Sequence, residues 1–173
     1  MSCVIGLKHN GKVYIGADGR ATSTDGEKRP LICKKIFKNG TYLIGFCGSV
    51  RSGQLLFPEQ GFQPPKKIIH FPKAMREWYA ENGSLLRDEE TGDIYGSNIV
   101  VASDGKLFEI LIDFSILEVE SFTAIGSGGP FAFGALDILM PTKLSPKNKI
   151  LRALETSAKY CSQVGPPYEV QVI

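Results

Sequence analysis

Apolar and polar residues alternate in short runs along both halves of the chain, and turn dipeptides separate the runs. Three dipeptides lie between apolar runs: Asn10-Gly11, Asn39-Gly40 and Asp104-Gly105. The flanking runs are residues 4–8 with 12–15, 35–37 with 41–44, and 99–102 with 106–110. Asn-Gly and Asp-Gly between such runs are strong signals of tight β-hairpins. The pattern therefore predicts antiparallel sheet in each half of the chain.

Helical segments are predicted between and after these hairpins. They cover residues 49–57, 72–82 and 129–140, and a fourth helix follows Ser145-Pro146. Ser145 is a favourable N-cap and Pro146 suits the first helical position, whereas Pro58 ends the first helix early. The fourth helix has one apolar stripe, formed by Ile150, Leu151, Leu154, Ala158 and Cys161. A short strand over residues 168–173 is predicted to follow it.

The predicted order of elements is a sheet, two helices, a sheet, two helices and a final strand. Long antiparallel hairpins with helices gathered in pairs favour an α+β layered sandwich. The 173 residues are enough to bury one core. The sequence has no linker, low-complexity tract or repeat of fixed period, so we expect a single domain over residues 1–173.

Composition narrows the classes of function. Hydrophobic residues make up 43% of the chain and charged residues 22%, which is typical of a soluble globular protein. The net charge of +2 comes from scattered basic and acidic residues, so it gives no electrostatic argument for nucleic acid or an anionic membrane. The most apolar stretch, residues 107–122, contains four acidic residues and does not predict a membrane span.

The cysteines and histidines do not predict a metal or cofactor site. The four cysteines are Cys3, Cys33, Cys47 and Cys161. They form no C-x-x-C pair, and we interpret them as reduced thiols of a cytoplasmic protein. The two histidines, His9 and His70, have no partners at metal-ligand spacing. We therefore expect no metal and no cofactor.

Ser2 is the first candidate for chemistry. It follows Met1 and is small, so the usual aminopeptidase is expected to remove Met1 and free the Ser2 α-amine. A serine hydroxyl needs a base to act as a nucleophile. An α-amine has a pKa of roughly 7.7–8.0 and is partly neutral near neutral pH, so one residue would supply both groups. Taken alone, Ser2 is better explained as a common second residue.

Two charged positions could assist such a hydroxyl. Asp18 ends a predicted strand, where a carboxylate can orient a lysine or the N-terminus. One of Lys34 and Lys35 can face inward, because neighbouring strand residues point to opposite faces. An ammonium beside a hydroxyl lowers the pKa of that hydroxyl. Taken alone, an Asp-Gly turn and a solvated basic pair are the simpler explanations.

Two glycine-containing segments join predicted strands to helices. Gly48 has a backbone N–H that could stabilise an oxyanion, although close packing at the corner explains it about as well. Ser127 lies in residues 125–130, where Phe131 stands at the third glycine position of a dinucleotide-binding loop. No Gly-Lys-Ser/Thr follows, so a phosphate-binding loop is not predicted either. A flexible connection is the simpler explanation of that segment.

Together and in this order, these segments resemble the proteasome β-subunit family, and most of all its bacterial HslV branch. The resemblance runs from Ser2 to about residue 163 and is clearest over residues 10–22, 33–48 and 124–130. It implies a four-layer αββα sandwich of the N-terminal-nucleophile hydrolase type. It also implies a peptidase that assembles into stacked homo-oligomeric rings around a closed chamber. Its substrate would be a peptide or unfolded protein, with an ATP-driven unfoldase as a possible partner.

The resemblance also assigns roles residue by residue. Ser2 falls on the family's N-terminal threonine, Asp18 on its motif aspartate and Lys35 on the lysine that assists the nucleophile. Gly48 falls on the oxyanion-hole glycine and Ser127 on a serine near the nucleophile. The family's substrate-pocket positions correspond to Ala21, Thr22, Phe46 and Ser49. Serine lacks the threonine methyl group that restricts the side-chain rotamer, so slower turnover is expected.

Three functions remain open from the sequence. The leading hypothesis is a self-compartmentalised peptidase that uses Ser2 after removal of Met1. The alternative is a catalytically silent ring or scaffold protein with the same fold, and the state of the N-terminus separates the two. The third is an amidase acting on small amides, in which Cys3 would become N-terminal only if Ser2 were also lost.

Overall fold

The computed structural model describes residues 2–22, 28–90 and 92–173, with the backbone alone for Thr22 and residues 28–32. Thirteen strands, four α-helices and two short 3-10 helices lie within these ranges. The strands are β1 (Val4–His9), β2 (Lys12–Asp18), β3 (Arg20–Thr22), β4 (Lys28–Ile32), β5 (Ile36–Asn39), β6 (Tyr42–Gly48), β7 (Leu86–Asp88), β8 (Gly92–Ile94), β9 (Ser97–Ser103), β10 (Lys106–Ile110), β11 (Ile116–Val119), β12 (Phe122–Ile125) and β13 (Tyr168–Val172). The α-helices are α1 (Val50–Gln54), α2 (Phe71–Glu81), α3 (Gly129–Leu139) and α4 (Pro146–Tyr160), and the 3-10 helices are Pro58–Gln60 and Ile68–His70.

Two antiparallel sheets form the centre of the fold. One sheet has the strand order β12-β1-β2-β13, and the other has the order β11-β10-β9-β6-β5. The two sheets pack face to face through apolar side chains that include Val4, Ile15, Leu43 and Val100. Their approach is close at Gly45, where an added Cβ would lie 2.8 Å from side-chain atoms of both Ile15 and Val4.

Helices cover the outer face of each sheet. Helices α3 and α4 pack on the four-stranded sheet through a cluster that includes Ile5, Leu7, Leu136, Ile150 and Leu154. Helix α2 covers the five-stranded sheet through a second cluster that includes Ile44, Phe46, Phe71, Met75 and Tyr79, and α1 lies against β6 and β9. The layers follow the order helix, sheet, sheet, helix. The predicted α+β class and four-layer αββα sandwich are therefore confirmed.

Strand β1 is buried on both of its faces. Val4 faces the other sheet, whereas Ile5 and Leu7 face helices α3 and α4. An added Cβ on Gly6 would lie 2.8 Å from the Leu107 side chain of the opposite sheet. Because successive strand residues point to opposite faces, a strand between two layers needs an apolar residue or a glycine at almost every position. This burial extends back to the segment that precedes β1, where Ser2 lies.

The three predicted hairpins are present, and one turn lies a residue later than predicted. The turns at Asn10-Gly11 and Asp104-Gly105 have positive φ angles at both residues, as a tight hairpin turn requires. In the other hairpin Asn39 pairs with Tyr42, so the turn residues are Gly40 and Thr41. Asn39 belongs to β5 because its buried side chain donates hydrogen bonds to two main-chain carbonyl oxygens.

The four predicted helices are present, with ends that differ by a few residues. Helix α1 ends at Gln54, earlier than predicted, and Ser49 caps it by accepting a hydrogen bond from the Ser52 N–H. Ser145 caps α4 in the same way, as predicted, by accepting from the Asn148 N–H. None of the helices in the described ranges is both long and apolar enough to cross a membrane.

The buried stripe of α4 differs in part from the predicted one. Ile150 and Leu154 are fully buried, as predicted. The other three predicted members are only partly buried: Leu151, Ala158 and Cys161. Ser157 is fully buried instead, and its Oγ donates a hydrogen bond of 2.6 Å to the Gly128 carbonyl oxygen. Helix α4 is thereby joined to the loop that contains Ser127.

Candidate active site

Ser2 lies immediately before β1 and is held by the loop between β12 and α3. Its carbonyl oxygen accepts a hydrogen bond of 3.1 Å from the Gly128 N–H and one of 3.4 Å from Ser127 Oγ. The same oxygen lies close to Gly126, where an added Cβ would be only 2.3 Å away. Only 4% of Ser2 is exposed. The loop therefore fixes the main chain of Ser2 just before the start of the buried strand β1.

Asp18 and Lys35 form a buried ion pair beside this segment. Lys35 Nζ donates a hydrogen bond of 2.8 Å to Asp18 Oδ1, and the exposed fractions of the two side chains are 4% and 0%. Asp18 Oδ1 also accepts from the Cys3 N–H at 2.9 Å. Lys34 is exposed, so the choice left open by strand alternation falls on Lys35.

A small cleft opens next to this pair, with a volume of about 60 Å³. Five of the nine predicted site residues line it: Ser2, Ala21, Lys35, Phe46 and Gly48. The other lining residues are Arg20, Cys33, Cys47 and Val50. Residues from four separate segments of the chain therefore meet in one cleft. Asp18 does not line the cleft but is bonded to Lys35, which does.

Gly48 ends β6 in a conformation that suits glycine alone. Its φ angle is +108°, and an added Cβ would lie 2.5 Å from the Gly96 carbonyl oxygen. The next residue, Ser49, donates its N–H to the same oxygen at 2.8 Å. The Ser49 side chain caps α1, and Ser49 is not among the described residues that line the cleft. Thr22 lies in β3, but its side chain is outside the part of the structure that is described.

Ser127 contacts the main chain of Ser2. Besides its bond to the Ser2 carbonyl oxygen, Ser127 Oγ accepts a hydrogen bond of 3.7 Å from the Cys161 thiol. Cys161 follows the last turn of α4. The hydroxyl of Ser127 therefore joins the Ser2 segment to the end of that helix.

Burial raises the pKa of three thiols near the site, those of Cys3, Cys33 and Cys47. Burial raises the pKa of Cys3 to about 12 and the pKa of Cys47 to about 11. Burial also raises the pKa of Cys33, with the nearby Lys35 acting in the opposite direction. Cys3 is fully buried, so its thiol is a poor candidate for a nucleophile.

Sequence reasoning missed four of the residues that line the cleft: Arg20, Cys33, Cys47 and Val50. Cys33 and Cys47 are adjacent to or near predicted site residues, but isolated cysteines carry no local signal of a cleft. Arg20 follows the Asp-Gly turn suggested by the sequence and has no separate local signal of a role in a cleft. Within the described ranges there is no group of three or more His, Cys, Asp or Glu side chains arranged to hold a metal ion.

The arrangement places a hydroxyl, an ammonium and a buried carboxylate in one small region. An ammonium near a hydroxyl stabilises the ionised oxygen, and a buried carboxylate keeps the ammonium charged. A main-chain N–H at the end of a strand can stabilise a negative charge that develops on a substrate oxygen. These groups are suited to acyl transfer through a serine oxygen.

No family model matches the chain, but curated proteins are similar to it over nearly its whole length. The ATP-dependent protease subunit HslV of Caldicellulosiruptor saccharolyticus is 31% identical over an alignment of 169 positions, which spans 91% of this chain and 90% of that protein. HslV of Petrotoga mobilis is 27% identical over an alignment of 180 positions, which spans 98% of this chain and 96% of that protein.

Solved structures show the same fold at lower identity. The BPH protein of Thiobacillus denitrificans superposes with a TM-score of 0.84 at 20% identity, covering 99% of this chain and 97% of that chain. The same protein in complex with epoxomicin gives a TM-score of 0.83 at 19% identity, with the same coverage. The eukaryotic HslV of Trypanosoma brucei gives 0.72 at 20% identity, covering 98% of each chain.

Proposed function

This chain belongs to the HslV family of protease subunits, and on that premise we propose that it cleaves peptide bonds with the hydroxyl of Ser2 after removal of Met1. Met1 itself lies outside the described residues. The observation that carries the proposal is the buried Asp18–Lys35 pair. Its lysine lines the same cleft as Ser2, and its aspartate accepts a hydrogen bond from the N–H of the next residue, Cys3.

The proposed reaction begins at Ser2 Oγ, which attacks the carbonyl carbon of a peptide bond. The proton of the hydroxyl passes to the Ser2 α-amine, and the positive charge of Lys35 stabilises the oxygen as it loses that proton. The Gly48 N–H stabilises the negative charge on the carbonyl oxygen of the tetrahedral intermediate. When the C–N bond breaks, the leaving amine takes the proton, and an ester to Ser2 remains. Water then hydrolyses the ester and releases the second product.

Hydrogen bonds and cleft-lining positions support the roles that we propose for the residues around Ser2. Asp18 holds the Lys35 side chain in place through the 2.8 Å bond between Nζ and Oδ1. Ser127 and the Gly128 N–H hold the Ser2 carbonyl oxygen, which supports a role in orienting the nucleophile. Ala21 and Phe46 line the cleft beside Ser2, which supports a role in receiving a substrate side chain. We propose the same role for Thr22 and Ser49 on the basis of family membership alone.

We further propose that the chain acts within stacked homo-oligomeric rings, on peptides or unfolded protein delivered by an ATP-driven unfoldase. Family membership is the main support, because the relatives are named as subunits of an ATP-dependent protease. A second support is the outer surface around α3, where large apolar side chains are exposed to solvent in the single chain. They include Phe131, Phe133, Ile138 and Leu144. Exposed apolar surface of this kind is typical of subunit contacts.

The test begins with the intact mass of the purified protein and its N-terminal sequence. We expect Met1 to be absent and Ser2 to be free. Hydrolysis of a fluorogenic peptide should then be measured for the wild type and for Ser2→Ala, which should lose at least about a thousandfold in kcat. Ser2→Thr is the matched variant, and it should retain activity because it keeps the hydroxyl.

Two results would contradict the proposal. One is complete retention of Met1, because the α-amine would then belong to the wrong residue. The other is equal peptide cleavage by the wild type and by Ser2→Ala. Retention of Met1, or cleavage by both proteins at the background rate, would favour the alternative of a catalytically silent ring or scaffold protein. An amidase that uses Cys3 is less well supported, because burial raises the pKa of that thiol to about 12.

A further inference from the structure

Arg20 lies beside the Asp18–Lys35 pair but takes no part in the chemistry proposed above. Its Nη1 donates hydrogen bonds of 2.9 Å to the Val164 carbonyl oxygen and 3.1 Å to the Ser162 carbonyl oxygen. Both carbonyls belong to the segment between α4 and β13, residues 161–167, which we call the 161–167 turn. The guanidinium also packs closely on this turn, since an added Cβ on Gly165 would lie 2.2 Å from Arg20 Cζ.

Both members of the buried pair are bonded either to Arg20 or to the turn that it holds. Lys35 Nζ donates its second hydrogen bond, of 2.8 Å, to the Arg20 carbonyl oxygen. Asp18 Oδ2 accepts a hydrogen bond of 3.3 Å from the Gly165 N–H. Arg20 therefore contacts the lysine directly through its main chain, and it contacts the aspartate indirectly through the turn.

A guanidinium is well suited to this task. It is planar, permanently charged and carries five N–H donors, so it can join several main-chain oxygens at fixed angles. Its bonds to carbonyl oxygens are charge-assisted and stronger than neutral ones. A lysine at the same position would offer a point charge on a flexible stem and would hold the two carbonyls less rigidly.

We propose that Arg20 is a positioning residue, whose guanidinium locks the 161–167 turn against β2 and thereby sets the orientation of the Asp18–Lys35 pair relative to Ser2. The expected effect of Arg20 on turnover rests on the proposed function. The hydrogen-bonding role itself does not depend on peptide cleavage, so the two can be tested separately.

The experiment compares Arg20→Ala, Arg20→Lys and a control, Arg51→Ala. Arg51 is matched because its Nη2 also donates to a main-chain carbonyl oxygen, that of Asn82, at 2.9 Å. We expect Arg20→Ala to lower kcat for a fluorogenic peptide by about 10- to 100-fold, because small displacements of catalytic groups have effects of that size. KM should change much less than kcat. Arg20→Lys should recover part of the loss, and Arg51→Ala should retain the wild-type kcat.

Chemical rescue separates positioning from a general loss of structure. Millimolar methylguanidine can enter the space left by the missing guanidinium, so it should restore much of the lost kcat in Arg20→Ala. It should have no such effect on the wild type or on Arg51→Ala. An Arg20→Ala variant with unchanged kcat, or with a loss that methylguanidine does not reduce, would overturn the inference.

A melting experiment gives a result even if the wild type proves inactive. In that case the proposed function fails, and the inference is judged by the effect of methylguanidine on the melting temperature. A ligand that binds only the folded state raises Tm, so methylguanidine should raise the Tm of Arg20→Ala and leave that of Arg51→Ala unchanged or lower. If the Tm of Arg20→Ala does not rise, Arg20 does not have the proposed role.

Discussion

Replacing the two members of the buried Asp18–Lys35 pair, singly and together, should separate their effect on stability from their effect on activity. Lys35→Met removes the ammonium and keeps most of the side-chain length. Asp18→Asn removes the negative charge and keeps the shape. We expect each single variant to be strongly destabilised, the double variant to recover most of that loss, and all three to lack activity.

The expected magnitude follows from the burial of the pair and the distance between its atoms. At a separation of 2.8 Å, two unit charges attract each other by about 6 kcal/mol if the effective dielectric constant is near 20. Desolvation of two almost fully buried ions offsets much of that attraction, whereas removal of one partner leaves an unpaired buried charge and costs about 3–5 kcal/mol. The loss of stability in Lys35→Met should lie at the lower end of this range, because two main-chain N–H groups still donate hydrogen bonds to Asp18.

The assay is urea-induced unfolding of the four proteins at one fixed protein concentration, with the assembly state checked for each. In the double variant no buried charge remains, so its free energy of unfolding should lie within about 1 kcal/mol of the wild-type value. Peptide hydrolysis by the double variant should nevertheless be absent. The reasoning would be refuted if the double variant lost as much stability as the two single variants added together, because that would show no coupling between the charges.

Three further predictions concern the surroundings of the site. Gly126 has a φ angle of +93°, and an added Cβ would lie 2.3 Å from the Ser2 carbonyl oxygen, so Gly126→Ala should lower both stability and kcat. The control is Gly11→Ala, at a residue with a φ angle of +73° and open space around it. There backbone strain alone should cost about 1–2 kcal/mol in urea-induced unfolding and leave kcat unchanged. Burial raises the pKa of Cys3 from 9.0 to about 12, so the folded chain keeps a proton that the unfolded chain loses. The resulting stability is fully present below pH 9 and is lost as the pH rises toward 12, and Cys3→Ala should show a smaller alkaline loss in urea-induced unfolding. Asn39→Ala should cost about 2–3 kcal/mol in the same assay, because two buried carbonyl oxygens lose their donor; a loss below about 1 kcal/mol would contradict that account of the hairpin.

Local chemistry explains why the sequence predicted the elements of the fold well. Asn10-Gly11 and Asp104-Gly105 adopt positive φ angles that few other residue pairs tolerate, so their positions could be predicted without any tertiary contact. Ser145-Pro146 likewise caps a helix through its own atoms. Asn39 was wrongly predicted as a turn residue for the opposite reason, since its role depends on carbonyl oxygens 17 and 23 residues away.

In the candidate site, too, some features could be predicted from the sequence and others depended on tertiary packing. The residues alone left Lys34 and Lys35 as alternatives, and the resemblance to a known family selected Lys35, which the structure places beside Asp18. Cys33, Cys47 and Val50 had no local signal, because lining a cleft is a property of how distant segments pack.

The sequence by itself therefore determined two of the three hairpin turns and the N-cap of α4, because turns and caps depend on neighbours along the chain. The order of these elements was then enough to predict the layered α+β class. Only the tertiary structure decided which side chains meet. It brought the 161–167 turn to Arg20, 142 and 144 residues away along the chain from its two carbonyl partners. Contacts of that kind form only when the layers pack, and no periodicity or turn signal in the sequence encodes them.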